Sequence, residues 1–408
     1  MNAAIITIGN EILMGKTINT NQAYLGSELG KLGIAVEYAL TIKDEPNAIK
    51  KALQDTWEKF EIVITTGGLG PTEDDLTKAA ITEFYGKKLH FDDTIWEHIQ
   101  EIFSFRKMPL PETNRSQAMV PDDFVTLNND LGTAPGLFYR EKDKMFFALP
   151  GVPSEMKHIF TSWIKEIIKN GFPDARPLYI RTLHTFGIAE SRLAELFTLA
   201  DLPEEVALAW LPQIGRVDLR FYGTEAKKVE AAVNKALPVV KQYVWGYDEE
   251  SPAEVLLSLL EKNNYNLSIA ESCTGGWVQK LITDVPGSSN SFSGGVIAYS
   301  NELKKKLLKV SETVLASEGA VSESCAMQMA EGIKMLTDSS CAISVTGIAG
   351  PNGGTAEKPV GTVCFGFIAA EKPWSKKQFF TGDREIIRIK AADFAILTLI
   401  QHLQGRDI

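Results

Sequence analysis

The residues best suited to chemistry lie in one short stretch, residues 268–304. It contains two turns rich in serine and glycine, AESCTGG with Ser272 and PGSS with Ser289, and continues into YSNELK, which carries Tyr299 and Lys304. Small hydroxyl and glycine residues beside apolar runs let backbone N–H groups approach a ligand closely. Either turn alone could be merely a turn. Two of them followed by a lysine predict a chemical site.

The scarcity of histidine limits the mechanism of such a site. The sequence has five histidines, and beyond His184 the only one is His402. A Ser–His–Asp triad, a two-histidine zinc site and a histidine base are therefore nearly excluded in the last third of the chain. A lysine whose pKa is lowered by burial or by a nearby positive charge can instead take a proton from serine. Lys304 is the candidate, although an isolated helix lysine is ordinarily a surface charge.

Two further segments could complete this site. TGIAGPNGG, residues 346–354, is a glycine-rich loop after an apolar run, and its N–H groups could face a phosphate or an oxyanion. The glycines could equally serve a tight loop. GDREIIR carries Arg384 and Arg388 one helical turn apart, which suits a bidentate grip on phosphate or pairing with Asp383 and Glu385.

A second turn with binding character follows the apolar run EIVITT. Its sequence is GGLGPTEDD, residues 67–75, in which three glycines permit a tight bend and an acidic run opens the next predicted helix. Such a turn at the carboxyl edge of a parallel sheet is a common ligand site, and a helix N-terminus favours phosphate. The carboxylates predict a divalent metal ion beside a pyrophosphate. Simple complementation of the helix dipole is an equally good interpretation.

Composition and charge bound the class of protein. A chain of 408 residues exceeds one ordinary core, so we expect two or three domains. The net charge of −10 argues against direct nucleic-acid binding. No membrane span or signal peptide is expected, because no apolar run reaches about 18 residues and the first residues lack a basic segment. The four cysteines lack CxxC spacing, which favours reduced thiols and a cytoplasmic protein.

The elements that must position these residues alternate between strand and helix. We predict strands at 36–41, 61–66, 178–185, 216–222, 243–245, 267–270, 296–298, 341–346 and 361–368, and helices at 21–32, 47–59, 190–200, 225–236, 274–283, 301–308, 322–336 and 384–403. This alternation predicts an α/β fold with parallel sheets covered on both faces. The acidic YDEESP segment, residues 247–252, is the predicted boundary before the last domain.

Four N-terminal motifs together resemble the molybdopterin-binding-like fold of the MoaB/MogA type and, more closely, the N-terminal domain of the CinA family. They are GNEILMG, TTGGLGPTEDD, GTAPG (132–136) and LPGVPSEM (149–156). The resemblance covers residues 1–170 and implies a three-layer α/β/α domain with ADP-ribose pyrophosphatase activity that depends on magnesium, manganese or cobalt. It implies a nucleotide site formed by Glu11, Thr66, Gly67, Gly68, Gly70, Thr72, Asp74, Gly132 and Pro150, with Asp74 and Asp75 as metal candidates.

The last third of the chain resembles the C-terminal domain of the same family, the nicotinamide-nucleotide amidohydrolase or NMN deamidase. AESCTGG, PGSS, YSNELK, GAVSE, TGIAGPNGG, EKPVGTV and GDR occur in the order typical of that domain. The resemblance implies a three-layer α/β domain at 251–408 and a small α/β connecting domain at 171–250. It also implies a homodimer and hydrolysis of nicotinamide mononucleotide to nicotinate mononucleotide and ammonia, without a cofactor.

The family pattern further implies roles for individual residues. It favours Ser289 over Ser272 as the nucleophile, with Lys304 as its base, and Tyr299 would orient the lysine or stack on the pyridine ring. The residues expected to hold the substrate or an oxyanion are Ser272, Thr274, Gly275, Gly276, Thr346, Gly347, Gly350, Arg384 and Arg388. Two alternatives stay open: an N-terminal domain that only binds a pterin or nucleotide, and a competence- or DNA-damage-associated interaction protein.

Overall fold

The computed structural model describes residues 1–72, 75–198 and 202–406. Its buried strands are formed by short apolar runs that end near glycine or proline. The chain divides into two units, Met1–Tyr179 and Ile180–Ile408. In the first unit the strands are β1 (Asn2–Ile8), β2 (Ala35–Ile42), β3 (Ile62–Thr66), β4 (Leu89–Phe91), β5 (Met119–Pro121), β6 (Val125–Leu127), β7 (Gly136–Glu141) and β8 (Lys144–Leu149). Its helices are α1 (Asn10–Leu13), α2 (Thr20–Lys31), α3 (Pro46–Trp57), α4 (Thr77–Phe84), α5 (Asp93–Phe105), α6 (Pro153–Ile159) and α7 (Lys165–Gly171), with a 3₁₀ helix at Glu112–Ala118 and a π-helical turn at Phe160–Ile164.

The first unit is built on a six-stranded sheet with the strand order β2-β1-β3-β8-β7-β6. Successive side chains point to opposite faces of its strands, so Ile6 and Val63 belong to one hydrophobic core and Ile5 and Ile64 to another. Helices cover both faces, which confirms the three-layer α/β/α architecture. β1, β3 and β8 are parallel neighbours, and the turns that follow them therefore leave the sheet at the same edge.

The second unit contains two sheets. Its strands are β9 (Tyr179–Thr185), β10 (Ala207–Gln213), β11 (Arg216–Gly223), β12 (Val244–Tyr247), β13 (Leu267–Glu271), β14 (Phe292–Ile297), β15 (Cys341–Gly347), β16 (Thr362–Ala369) and β17 (Lys372–Phe379). Its helices are α8 (Glu190–Leu196), α9 (Ala226–Val240), α10 (Pro252–Lys262), α11 (Trp277–Thr283), α12 (Asn301–Leu308), α13 (Glu312–Ser317), α14 (Glu323–Thr337) and α15 (Arg384–Leu403). The smaller sheet has the order β10-β11-β9-β12 and the larger one β14-β13-β15-β16-β17.

The larger sheet is the middle layer of three. Ile269 on β13 packs in a core with α10, α11 and α15, whereas its neighbour Ala270 faces the core beneath α12 and α14. β13 is fully buried and lies parallel to both β14 and β15. A strand that is central, parallel and apolar on both faces carries its functional residues just beyond its carboxyl end.

The predicted elements are confirmed in most cases, and the differences have local causes. α11 begins at Trp277 and not at 274, because Gly275 and Gly276 have φ values of +62° and +93° that a helix cannot contain. Ser300 is the N-cap of α12. β4 to β8, β10 and β17 were not predicted. The end of the helix predicted at 190–200 lies partly outside the described residues. Across the described ranges, no helix is both long and apolar enough to cross a membrane.

Candidate active site

Parallel pairing of β13 with β14 brings the C-terminal candidates together. Glu271, the last residue of β13, pairs with Ile297, the last residue of β14. Ser272 follows the first strand, and α12 follows the second, so both leave the same edge of the sheet. α12 carries Lys304 in its first turn. A turn and a helix start that are distant in sequence are therefore neighbours in space.

Lys304 is buried and its amine lies against the Ser272 hydroxyl. Its side chain is only 1% exposed, and Nζ lies 2.9 Å from Ser272 Oγ, 2.8 Å from the carbonyl oxygen of Ala298 and 3.4 Å from that of Tyr299. Burial lowers the pKa of Lys304 below its ordinary value, since burial disfavours the charged amine. A neutral amine that donates to the two carbonyls directs its lone pair at the serine. This is the geometry of a general base beside a nucleophile.

The structure corrects the preference for Ser289. Ser289 lies in an exposed 3₁₀ turn, Ser288–Asn290, that precedes β14, whereas Lys304 follows that strand. A strand of six residues separates its two ends by about 20 Å. In the part of the chain that the structure describes, the hydrogen-bond partners of Lys304 Nζ are the Ser272 hydroxyl and two carbonyls, and Ser289 is not among them. The fold therefore places Ser272, and not Ser289, beside Lys304.

The Ser272 turn is closed by an acid that the sequence analysis did not single out. The carboxylate of Glu271 accepts the backbone N–H groups of Gly276 at 2.9 Å, Val278 at 3.2 Å and Gln279 at 2.9 Å, together with the Gln279 side-chain amide at 3.1 Å. The Gly275 N–H donates to the Ser272 carbonyl. The two glycine amides therefore serve the turn itself, which corrects their predicted role as donors to phosphate or an oxyanion. The missed signal was an acid directly before a glycine turn and a helix.

Thr274 retains an unpaired hydroxyl at this turn, whereas the backbone N–H groups of Cys273 and Thr274 face the Cys273 sulfur. The Thr274 hydroxyl is fully buried and has no hydrogen-bond partner within the described residues. Over the same part of the chain, no oxygen accepts the backbone N–H of Cys273 or of Thr274. A buried polar group without a partner is costly and is usual where a ligand or water binds. Burial raises the pKa of the Cys273 thiol to about 12, so a thiolate does not compete with Ser272.

Arg384 and Arg388 frame the site from the first turns of α15. Arg384 donates to the Gly350 carbonyl at 2.7 Å and to the Tyr299 hydroxyl at 3.2 Å. Arg388 donates to the Thr274 carbonyl at 2.7 Å. These contacts connect the Ser272 turn, the Tyr299 segment and the glycine-rich loop, which the sequence analysis assigned to one site. Tyr299 is 62% exposed, so its ring lies at the open side of the site.

The other predicted substrate contacts of the glycine-rich loop are corrected. The Thr346 hydroxyl is buried and donates to the Ala320 carbonyl at 2.7 Å. A side chain at Gly347 would lie within 2.8 Å of Val363, and one at Gly350 within 2.6 Å of Val360. Thr346 therefore holds the segment between α13 and α14, Gly347 allows packing of β15 against β16, and Gly350 contributes its carbonyl to Arg384.

Thr66 and Pro150, two residues predicted for the N-terminal nucleotide site, lie at the carboxyl ends of β3 and β8. The Thr66 hydroxyl donates to the Pro150 carbonyl at 2.9 Å and accepts from the Asn21 side-chain amide at 2.9 Å. That amide also donates to the Gly151 carbonyl at 2.8 Å. Asn21 was missed in the sequence, and its buried Oδ1 has no partner in the described ranges. Thr66 and Pro150 are brought together as predicted, with one oxygen left for a ligand that donates a hydrogen bond.

The glycines of this turn allow close contact with the sheet. Gly67 and Gly68 have φ values of +113° and +67°. A side chain at Gly67 would lie 2.1 Å from the Ile8 carbonyl, and one at Gly68 would lie 2.1 Å from the Thr77 hydroxyl. These two glycines are required by the backbone, whether or not a nucleotide binds.

The described part of the turn does not fit a metal ion. One Asp75 oxygen accepts the Gly70 N–H at 2.8 Å, and the other accepts both the N–H and the hydroxyl of Thr72. Among residues 1–72, 75–198 and 202–406, no group of three histidine, cysteine or acidic side chains could hold a metal. Asp75 is thus corrected from a metal ligand to the residue that closes the turn. Asp74 lies outside the described residues.

Glu11 and Gly132 complete the predicted N-terminal set. Glu11 is exposed on α1. The Gly132 N–H donates to Asn129 Oδ1 at 3.1 Å, and the Asn129 amide donates to Glu155 at 2.6 Å. The GTAPG loop is therefore held by Asn129, a residue that the sequence analysis did not select.

Family models match both the N-terminal and the C-terminal part of the chain. The CinA C-terminal domain matches residues 249–403, and the probable molybdopterin binding domain matches residues 4–170. The chain is 37% identical to a putative competence-damage inducible protein of Caldanaerobacter subterraneus subsp. tengcongensis, over 100% of both chains. It is 36% identical to a CinA-like protein of Cytophaga hutchinsonii, over 98% of this chain and 97% of the other. The crystal structure of a CinA protein of unknown function from Thermoplasma acidophilum covers 41% of this chain and 97% of its own, at 34% identity and a TM-score of 0.38.

Proposed function

Because this chain belongs to the CinA family, we propose that its C-terminal domain is a serine–lysine amidohydrolase that converts nicotinamide mononucleotide into nicotinate mononucleotide and ammonia. The contact of 2.9 Å between Lys304 Nζ and Ser272 Oγ carries the chemical part of this proposal. The identity of the substrate rests on the family resemblance of the C-terminal motifs. Recycling of pyridine nucleotides is the corresponding role.

In the first half of the reaction, Ser272 Oγ attacks the carboxamide carbon while Lys304 takes the hydroxyl proton. Lys304 suits this role because burial lowers its pKa, so that a neutral amine is within reach. The carbonyl oxygen becomes an oxyanion, for which the backbone amides of Cys273 and Thr274, which no described oxygen accepts, are candidate donors. The carbon–nitrogen bond then breaks, Lys304 returns the proton to the departing ammonia, and an ester on Ser272 is left.

In the second half, water replaces ammonia. Lys304 takes a proton from a water molecule that attacks the ester carbon, and the carbon–Oγ bond breaks. The proton returns to Ser272 Oγ and nicotinate mononucleotide is released. One water molecule is consumed for each amide, and no cofactor is required by this scheme.

The phosphate of the substrate would bind at the first turns of α15. Arg384 is the stronger candidate, because its side chain is exposed and contacts the hydroxyl of Tyr299 at the open side of the site. Arg388 is already committed to the Thr274 carbonyl and orients the Ser272 turn. Tyr299 would stack on the pyridine ring, and its carbonyl orients Lys304.

The decisive test is ammonia release from nicotinamide mononucleotide by the purified chain in the presence of a metal chelator. We expect release with nicotinate mononucleotide as the co-product, and loss of release in Lys304→Met. Lys305→Met is the matched control, because Lys305 is a half-exposed neighbour on the same helix that pairs with Glu312 at 3.3 Å. No release by folded wild-type protein would refute the amidase assignment.

For the N-terminal domain we propose binding of ADP-ribose, with hydrolysis of its pyrophosphate as the activity that the family resemblance implies. The unpartnered Asn21 oxygen beside Thr66 supports a ligand at the edge where three strands end. Asp74 is the remaining candidate for a magnesium, manganese or cobalt ion, since Asp75 closes the turn. We propose no step that involves the metal.

Turnover separates this assignment from the binding-module alternative. The purified chain is assayed for AMP release from ADP-ribose with each metal in turn, and its affinity for ADP-ribose is measured in parallel. Affinity without products would identify a binding module. We also propose a homodimer with no direct nucleic-acid contact; salt-dependent binding to DNA would instead favour the interaction-protein alternative.

A further inference from the structure

Glu271 is a fully buried acid without a cationic partner. Its exposure is 0%, and within the described part of the chain no lysine, arginine or histidine forms an ion pair with it. Burying a carboxylate is costly unless hydrogen bonds replace water. Here four N–H donors on Gly276, Val278 and Gln279 supply those bonds. The arrangement closes a ring that contains the Ser272 turn.

The backbone of the same residue reaches the other half of the Ser–Lys pair. The Glu271 carbonyl accepts the N–H of Ala298 at 2.8 Å. The Ala298 carbonyl in turn accepts from Lys304 Nζ at 2.8 Å. Glu271 therefore fixes the serine through its side chain and the lysine through its main chain.

We propose that Glu271 is a positioning residue: its carboxylate holds the turn so that the Ser272 hydroxyl stays on Lys304 and the Cys273 and Thr274 amides stay open to the substrate oxyanion. By accepting the amides of Gly276, Val278 and Gln279, the carboxylate fixes the turn in a conformation in which no described oxygen accepts the N–H groups of residues 273 and 274. This inference rests on the proposed amidase function.

Glutamine cannot replace Glu271 in this role. Its side chain has one acceptor oxygen and one NH₂ group, and the NH₂ group would face N–H donors. In either orientation about half of the donors lose their acceptor, and the turn relaxes. Relaxation of the turn displaces the reacting Ser272 hydroxyl. We therefore expect kcat to fall more than the affinity for the substrate, which is held at α15.

The test compares Glu271→Gln with Glu254→Gln. Glu254 also caps a helix start, since its carboxylate accepts the N–H and hydroxyl of Ser251 at 2.9 and 2.7 Å at the beginning of α10. We expect both variants to lose thermal stability. Only Glu271→Gln should lower kcat for nicotinamide mononucleotide, by roughly 10²-fold, with KM changed less than about threefold. An equal kcat per folded molecule in wild type and Glu271→Gln, or an equal loss in Glu254→Gln, overturns the proposal.

A second measurement separates this proposal from the choice of substrate. The rate at which a fluorophosphonate labels Ser272 reports the reactivity of the hydroxyl without any nucleotide. We expect labelling in wild type and roughly 10²-fold slower labelling in Glu271→Gln. If wild type is labelled but releases no ammonia, the substrate assignment fails and the ratio of labelling rates alone decides on Glu271. Equal labelling rates overturn the positioning role.

If Glu271→Gln does not fold, Gln279→Met answers the same question. It removes one of the four donors and leaves no new donor unpaired. A decrease in kcat of a few-fold with KM unchanged supports the proposal, and an unchanged kcat refutes it.

Discussion

The turn at residues 272–276 and the described part of the N-terminal turn, residues 67–72 and Asp75, are built alike but hold their hydroxyl groups differently. Each follows a buried strand and is closed by one acid, Glu271 in the C-terminal turn and Asp75 in the N-terminal turn. In the N-terminal turn the Thr72 hydroxyl donates to the closing acid itself. In the C-terminal turn the Ser272 hydroxyl forms a hydrogen bond with the buried amine of Lys304. The N-terminal arrangement stabilises its turn, whereas the C-terminal arrangement also places a base beside a nucleophile.

This difference indicates how acids beside glycine turns should be interpreted. A tight turn exposes backbone N–H groups that need an acceptor, and a nearby carboxylate satisfies them before it can serve a metal or a substrate. Chemistry is better indicated by a group whose burial the turn does not explain. Lys304 is such a group: it is 1% exposed and has no acidic partner among the described residues, so burial disfavours its charged form.

The largest expected effect tests whether the two turns differ in chemistry. Ser272→Ala should lower ammonia release from nicotinamide mononucleotide by roughly 10⁴-fold or more, because the nucleophile is lost. Ser289→Ala is the matched control and should stay within about threefold of wild type, since Ser289 lies at the other end of β14. The measurement is kcat by ammonia assay. The reverse ranking would return the nucleophile to Ser289 and remove the distinction between the turns.

The second effect concerns pH. Since the neutral amine of Lys304 is the base, kcat/KM should rise with pH and level off below the ordinary lysine value of 10.5. Folding stability should rise in the window above that, between the lowered pKa of Lys304 and 10.5. The folded state binds fewer protons than the unfolded state between the lowered pKa and 10.5, so unfolding becomes less favourable as pH increases.

Two pH series check this sign. The kcat/KM profile of wild type is one, and the urea-unfolding free energies of wild type, Lys304→Met and Lys305→Met are the other. The rise in stability with pH should be smaller in Lys304→Met and unchanged in Lys305→Met. A stability curve of Lys304→Met that parallels wild type would show that Lys304 keeps its ordinary pKa.

A smaller effect tests whether Arg384 binds the phosphate of the substrate in the C-terminal site. Arg384→Gln should raise KM for nicotinamide mononucleotide about tenfold, which corresponds to about 1.4 kcal/mol, and change kcat little. The increase should vanish with nicotinamide riboside, which lacks the phosphate. Arg192→Gln, in an exposed pair with Glu195 on α8, is the control and should leave KM unchanged. An equal increase with both substrates would assign Arg384 to holding Tyr299 and not to phosphate.

Much of the fold follows from the sequence, because its elements are strongly periodic. α12 and α15 begin and end where the apolar spacing predicts. β10 and β17 were missed, since their exposure pattern is that of edge strands with few buried residues. β4 to β8 were missed as well, although β8 is buried and central in its sheet. Lys304 could be selected because the absence of histidine leaves few bases.

The choice between Ser272 and Ser289 could not be made from local sequence. Both lie in serine- and glycine-rich turns, and the distance of each from Lys304 depends on which strands pair and in which direction. Only the parallel register of Glu271 with Ile297 puts Ser272 on Lys304. For the same reason Asn21, which reaches Thr66 and Gly151 from α2, carried no local signal.

The smallest expected effect tests the N-terminal half of the comparison. Asp75→Asn should lower the unfolding free energy by about 1–2 kcal/mol, because one carboxylate oxygen becomes an NH₂ group and a donor on Gly70 or Thr72 loses its acceptor. Asp55→Asn, at an exposed position on α3, is the control and should change it by less than about 0.5 kcal/mol. Urea unfolding measures both, and ammonia release should be unaffected. If Asp75→Asn instead abolished metal-dependent turnover of ADP-ribose at unchanged stability, Asp75 would belong to a metal site. The two turns would then each hold chemistry, and the rule that a turn acid first serves its own backbone would fail for this chain.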